Sequence, residues 1–230
     1  MTKFLLFALL LVSTASLRAV PEIAVDVGHG QIERGASSAR GRSEFEFNLD
    51  FARVLAPSLR QAGWAVREVN FAGDVVKLVD RPWRAAGSDF FISIHHDSIS
   101  EPYLSPWDWD GSELNHTALK RGFGLFVSRD NPQPRRSLRC ASAVGQALRE
   151  AGFQPTMWHA RKHAPADREN GVWYYDNLVV LYKTLLPAFL FEAGVIKHRE
   201  EELELRDPAR QQRMADAIVR GMAVCLPPTK

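Results

Sequence analysis

Four short stretches of the chain hold residues able to bind a metal ion or move a proton. His29 sits between two glycines in "DVGHG" (26–30), at the end of an apolar run. His95 and His96 close the apolar run in "FFISIHHDS" (90–98). Glu44 and Glu46 follow a serine in "SEFE" (43–46), and Glu192 lies inside the apolar "AFLFEAG" (188–194). A carboxylate and two imidazoles make a three-ligand zinc set whose fourth position is left to water. Water held in such a site has a pKa of about 7, and a carbonyl there is polarised. A separate glutamate can then move the proton.

Each candidate has a structural duty to be weighed against. "SEFE" reads as a capping box, with Ser43 as N-cap and Glu46 three residues on. That duty uses Glu46 only, and it leaves Glu44 at the first helical position with nothing beyond helix-end electrostatics to do. Glu192 is an acid in an apolar strand; a buried, unpaired carboxylate is costly, so a functional partner is expected. Asp26 reads either as an acceptor that orients a ligand histidine or as the cap of a turn. His159 and His163 in "HARKH" have a helical i,i+4 spacing but lack the glutamate of the H-E-x-x-H pattern. Pro155 and Pro165 bracket them, so they read as surface or groove histidines. His116 and His198 read as solvated, and "REEELELRD" (199–207) reads as a solvated helix face.

The elements that must position these residues alternate. "EIAVDV" (22–27), "WAVREV" (64–69), "DFFISIH" (89–95), "GFGLFVS" (122–128), "LVVL" (178–181) and "AFLFEAG" (188–194) read as strands. Residues 44–62, 74–86, 135–151 and 207–226 read as helices, the first with Phe47, Leu49, Val54, Leu55 and Leu59 on its apolar side. Strands alternating with helices imply an α/β fold with a central, mainly parallel (mixed) sheet and helices on both faces. In such sheets ligands bind beyond the carboxyl ends of the strands, which is where His29, the His95–His96 pair and Glu192 stand. Residues 97–121 break the pattern and read as an insertion, and 155–172 as irregular. The aromatics of "VWYYDN" (172–177) read as core packing ahead of the lining of a peptide or glycan groove.

The chain has 230 residues, enough for one domain, and no linker divides it after the N-terminus. That N-terminus has Lys3, the apolar block Phe4–Val12, and small residues fitting cleavage after Ala15 or Ala19: a secretory signal peptide over 1–19. The block is too short for a stable membrane span. Cleavage after Ala19 removes Lys3 and Arg18 and takes the formal charge from +2 to 0, which leaves no electrostatic case for nucleic acid. An exported chain with two cysteines has either one Cys140–Cys225 disulfide or two buried thiols.

Taken in order, four segments resemble the zinc-dependent N-acetylmuramoyl-L-alanine amidases of bacterial cell walls (amidase type 3): "IAVDVGHGQIERGA" (23–36), "EFEFNLDFARVL" (44–55), "DFFISIHHDS" (89–98) and "PAFLFEAGVI" (187–196). The resemblance implies one zinc ion on His29, Glu44 and His95, with Glu192 as general base and acid. It also implies a zinc-hydrolase-like fold over residues 20–230 and hydrolysis of the amide between N-acetylmuramic acid and L-alanine of the stem peptide. The expected substrate is peptidoglycan or a muropeptide, the location periplasmic, the chain a monomer and a free-standing catalytic domain, with an activator protein as a candidate partner. One departure is His96, where the family usually has alanine. Because neighbouring strand residues point to opposite faces, only one of the two histidines is expected to face a metal, and His96 is expected behind a ligand or beside the substrate. In some relatives an inserted helix blocks the zinc, and "SELNHTALKRG" (112–122) reads as either a helical turn or two or a groove wall. The rival readings are a zinc carboxypeptidase or other amidohydrolase acting on wall peptides, and a non-catalytic wall-binding module.

Overall fold

A computed structural model describes residues 20–228; the segment read as a signal peptide lies outside the described residues. Seven strands form one mixed sheet in the order β2-β1-β3-β9-β6-β8-β7. They are β1 (Glu22–Val27), β2 (Ala65–Val69), β3 (Phe90–Asp97), β6 (Gly124–Val127), β7 (Pro165–Asp167), β8 (Val172–Tyr174) and β9 (Ala188–Val195). The half from β2 to β9 is parallel, β6 runs antiparallel to β9, β8 is parallel to β6, and β7 is antiparallel to β8. β1, β3 and β9 are therefore neighbours that end at the same edge.

The two faces are covered unequally. Helices α1 (Glu44–Gln61), α3 (Pro134–Glu150) and α6 (Pro208–Cys225) pack on one face against Ile23, Val25, Val27, Phe90, Ile92, Ile94, Phe189 and Phe191. The other face presents Ala24, Phe91, Phe126, Trp173 and Leu190 to two short helices, α2 (Asp80–Arg84) and α4 (Val179–Tyr182). "FFISI" and "FLF" are continuous apolar runs because successive side chains serve opposite faces and both are buried. Along α1 the buried apolar side is Phe45, Phe47, Phe51, Ala52, Leu55 and Leu59, with Leu49 and Val54 half-buried at its rim.

Five expectations need correction. The helix expected over 74–86 is reduced to Asp80–Arg84, because Val76 and Leu78 face solvent with nothing to bury against and a short helix with no docked apolar side is not stable. "LVVL" is not a strand but α4, whose Val180 and Leu181 cover the second face. Residues 97–121 are not irregular: Ser105–Trp109 (β4) and Ser112–His116 (β5) pair as an antiparallel hairpin, so residues 112–116 are strand and not helix. Asp110 and Gly111 both have positive φ, 53° and 74°, the two-residue turn that matches strand twist. His116 is half-buried in this hairpin, its ring edge-on to Trp107. Finally, 199–207 is not a solvated face. Glu201 and Glu202, around α5 (Glu201–Leu205), are buried: Glu201 accepts from the N–H of Gly122 and Val195, and Glu202 accepts from the Ser38 hydroxyl and Arg40.

Helices α3 and α6 cross closely. A Cβ on Gly221 would stand 2.4 Å from Val144 Cα, and the Cys140–Cys225 disulfide joins the same two helices across 85 residues of chain. Gly221→Val is therefore expected to lower the unfolding free energy by about 1–3 kcal/mol, read from a denaturant melt. A midpoint at or above the wild type's would show that the helices can part to admit the side chain.

Candidate metal centre

The centre is built at the common edge of β1, β3 and β9. His29 follows β1 with φ of 63°, a left-handed conformation rare outside glycine. Two buried side chains hold it there: Asn70 and Arg81 both donate to the His29 carbonyl. Asn70 also donates to the Val27 carbonyl at 2.7 Å. Gly28 and Gly35 leave room for the imidazoles, since a Cβ on Gly28 would meet the His95 ring at 2.4 Å and one on Gly35 would meet the His29 ring and Glu44 Oε2 at 2.7 Å.

Glu44 is the first residue of α1. As the capping box requires, Glu46 Oε2 takes the Ser43 N–H at 3.2 Å, which leaves the Glu44 carboxylate to point into the centre. Its Oε1 lies 3.1 Å from His29 Nε2 and 2.9 Å from His95 Nδ1, and its Oε2 accepts from Ala36 N–H at 3.2 Å. Burial would raise its pKa, but the contacts with His29 and His95 outweigh burial and hold it well below the usual carboxylate range.

His95 and His96 point to opposite faces. His95 joins Glu44 on the thinly covered side, where its register partner on β9 is Glu192. His96 is buried on the three-helix side, packed on Phe47 and Phe51. It therefore lies behind a candidate ligand and away from the substrate side. Its Nδ1 is 2.8 Å from Asn48 Oδ1, and Asn48 spends its N–H on the Gly28 carbonyl and toward Glu44. The His96 Nδ1 must then carry the proton. Burial pushes this imidazole down to about 3, so it is a neutral donor that steadies Asn48.

Glu192 is half-buried, and its Oε2 is buried without a hydrogen-bond partner. Burial, reinforced by the charges of Asp97 and Glu44 and only partly offset by Lys120, raises its carboxyl well above the ordinary value. Asp97 itself is compensated: Lys120 pairs with it, and His159 Nε2 lies 3.0 Å from its Oδ2. His159 is thus a buried histidine lining the groove next to the centre, the groove reading and not the surface one. Its ring stands 6.0 Å from that of His163, which packs on Tyr175. His198, also half-buried, accepts the Glu201 N–H. Asp26 takes neither role foreseen for it. It accepts from Ser93 at 2.7 Å and faces Arg81 at 3.9 Å, so it reaches His29 only through the guanidinium that grips the His29 carbonyl.

One donor atom each from His29, Glu44 and His95 lies within 4.8 Å of the others. Tetrahedral zinc with bonds of about 2.0–2.1 Å needs donors roughly 3.3 Å apart, close to the two edges seen, so the donor set fits a metal ion. Four supporting residues are absent from the candidates named in the sequence. Asn48 had a signal, since it is four residues after Glu44 and shares its helix face. Asn70 had a weak one, an asparagine tolerant of positive φ at a strand end. Arg81 and Lys120 had none.

The family model described as N-acetylmuramoyl-L-alanine amidase matches residues 23–224. The chain is 27% identical over 202 residues to a protein named probable cell wall amidase LytH of Staphylococcus epidermidis, and 24% identical over 204 residues to its Staphylococcus aureus counterpart. These matches cover 87% and 88% of this chain but only 56% and 57% of those proteins, so the chain spans little more than half the length of the curated relatives. Among solved structures it is similar to the catalytic domain of CwlV, an amidase of Bacillus (Paenibacillus) polymyxa, with a TM-score of 0.69, 24% identity and coverage of 91% of this chain and 99% of that one. It is also similar to Ami1 of Mycobacterium smegmatis, with a TM-score of 0.71, 19% identity and coverage of 90% and 96%. A third is CwlD of Clostridioides difficile, solved with the GerS lipoprotein, with a TM-score of 0.67, 18% identity and coverage of 90% and 98%.

The geometry sets an expected order for metal affinity. By elemental analysis the wild type should retain about one equivalent of zinc, Glu44→Ala and His95→Ala should lose it, and His96→Ala should keep it. Asn70→Ala, which frees the His29 carbonyl, should weaken zinc binding by about 10- to 100-fold. Zinc retained by His95→Ala and lost by His96→Ala would reverse the assignment.

Proposed function

The chain belongs to the N-acetylmuramoyl-L-alanine amidase family, and we propose that it is an exported zinc hydrolase cutting the amide between N-acetylmuramic acid and L-alanine of the stem peptide. The observation that supports this reading is the meeting of His29, Glu44 and His95 beside Glu192, a carboxylate whose proton affinity burial raises, at one sheet edge. On this reading His29, Glu44 and His95 hold the ion, and a zinc ion bound there supplies an acidified water and an electrophile for the scissile carbonyl. Glu192 accepts the proton of the attacking water as the new C–O bond forms. It then delivers that proton to the nitrogen as the C–N bond breaks, so that L-alanine leaves as a free amine. A carboxyl with raised proton affinity is suited to both halves of this cycle.

The same reading takes residues 1–19 as a signal peptide, residues 20–230 as the catalytic region, and the periplasm as the place of work. No described helix is long and apolar enough to cross a membrane. The chain acts as a monomer on peptidoglycan or muropeptides, and the solved complex of CwlD with GerS supports keeping an activator protein as a candidate partner.

Purified protein incubated with sacculi or a muramoyl peptide should release peptides with a free L-alanine N-terminus by mass spectrometry, and a chelator should stop it. Loss of terminal D-alanine alone would mark a carboxypeptidase. Glu192→Gln is expected to lower kcat by about 10²- to 10⁴-fold with zinc retained; an unchanged rate would refute the assigned proton carrier.

A further inference from the structure

Two cavities open on either side of the His95–Glu192 pair. The first, about 530 Å³, has His29 and His95 in its wall and is otherwise lined largely by apolar groups such as Ile32, Val76, Leu78 and Leu190. The second, about 250 Å³, has Glu192 in its wall and is lined by Lys120, Arg161, Lys162 and His163 with Tyr103 and Trp158. We propose that the second cavity receives the leaving peptide and recognises its carboxylates through Arg161 and Lys162. This rests on the amidase reading above.

Direction comes from the chemistry. The nitrogen that takes the proton must lie at Glu192, and a trans amide sends its two substituents apart. The chain that continues from the nitrogen therefore runs into the cavity that Glu192 lines. The acyl side, with its lactyl methyl and sugar, remains beside His29 and His95, over the apolar cavity.

The charge balance of the second cavity fits an acidic ligand. Its two carboxyl groups are already accounted for: Asp97 is compensated by Lys120 and His159, and Glu192 cycles a proton. Among the described residues no carboxylate pairs with Arg161 or Lys162, and both are exposed. Arg161 is also held in place. Its guanidinium stands 4.7 Å from the Trp158 ring and 5.2 Å from the Tyr103 ring, and donates to the Tyr103 hydroxyl at 3.1 Å. A guanidinium fixed in plane by aromatic neighbours keeps its other N–H groups aimed as a fork, the arrangement that grips a carboxylate in bidentate fashion. The histidines of the same segment are not a second metal site, since among the described residues only His29, Glu44 and His95 bring three donor atoms within 4.8 Å of one another.

The test is a binding measurement that needs no bond cleavage. The zinc-loaded protein is titrated by calorimetry with the peptide L-Ala-γ-D-Glu-L-Lys and with the same peptide carrying carboxamides in place of its carboxylates. The acid form should bind at least tenfold tighter, and an R161A/K162A double variant should lose that preference, with R161K keeping part of it. With a muramoyl peptide as substrate the double variant should show a raised KM and an unchanged kcat. Equal binding of the two peptides by the wild type, or an intact preference in the double variant, overturns the subsite. Cleavage of muramoyl peptide without acid preference would leave the amidase reading standing and remove only this one. Acid preference without cleavage would refute the amidase reading and with it the leaving-peptide role, keeping only a carboxylate site at Arg161 and Lys162.

Discussion

Glu44 is a carboxylate kept ionised in a place where burial alone would neutralise it. Its oxygen lies about equally far from two imidazole nitrogens, 3.1 Å from His29 and 2.9 Å from His95, and removing a charge from water is tolerable only when such partners are in place. Most of the surrounding structure serves to bring these three groups together. The capping box spends Glu46 on the helix end so that Glu44 is left over. Gly28 and Gly35 give up side chains to the imidazoles. Asn70 and Arg81 hold a left-handed backbone at His29 that an ordinary residue would not keep. A buried polar network of this kind has value only when it is complete, because each missing partner leaves a costly group behind.

The unequal covering of the sheet explains where the chemistry stands. Three long helices seal one face, and His96 is drawn into that seal as a neutral imidazole pinned by Asn48. The other face is covered by α2 and α4, of 5 and 4 residues, and by the turn that carries His159, packed on Phe126 and Trp173, so its strand-end residues open onto cavities. His95 and Glu192 share that face because they are register partners on adjacent parallel strands, and the pairing shifts immediately beyond them, between His95 and Asp97. Irregular pairing of this sort re-aims side chains and recurs beside functional sites.

Legibility followed the range of the interaction. β1, β3 and β9 were readable because a strand buried on both sides is apolar at nearly every position. Helices α1, α3 and α6 were readable because each shows one apolar side at helical spacing. The failures were short or tied down from a distance. "VVLY" is too brief for its period to distinguish a helix from a strand. The stretch after Gly73 lost most of its helix because Val76, Leu78 and Val79 find nothing in the fold to bury against. The hairpin over 105–116 did have a local mark, Asp110-Gly111 between two five-residue strands, but Trp107 and Trp109 beside mixed charges hid the alternation. Glu201 and Glu202 misled because a run of acids reads as solvated unless its distant donors, here Gly122, Val195, Ser38 and Arg40, are known.

The candidate site divides in the same way. By itself the chain determined which residue types stand at strand and helix ends: His29 after an apolar run, Glu44 freed by its neighbour's cap, His95 and His96 on opposite faces, Glu192 in an apolar strand. Those are local facts, set by backbone periodicity and by which polar groups a helix end consumes. Tertiary structure alone decided that β1, β3 and β9 are adjacent, that Asn70 and Arg81 converge on one carbonyl, that Lys120 and His159 compensate Asp97, and that Cys140 meets Cys225. Each of these joins residues far apart in the chain, and a contact that depends on how whole elements pack leaves no periodic trace in the order of the residues.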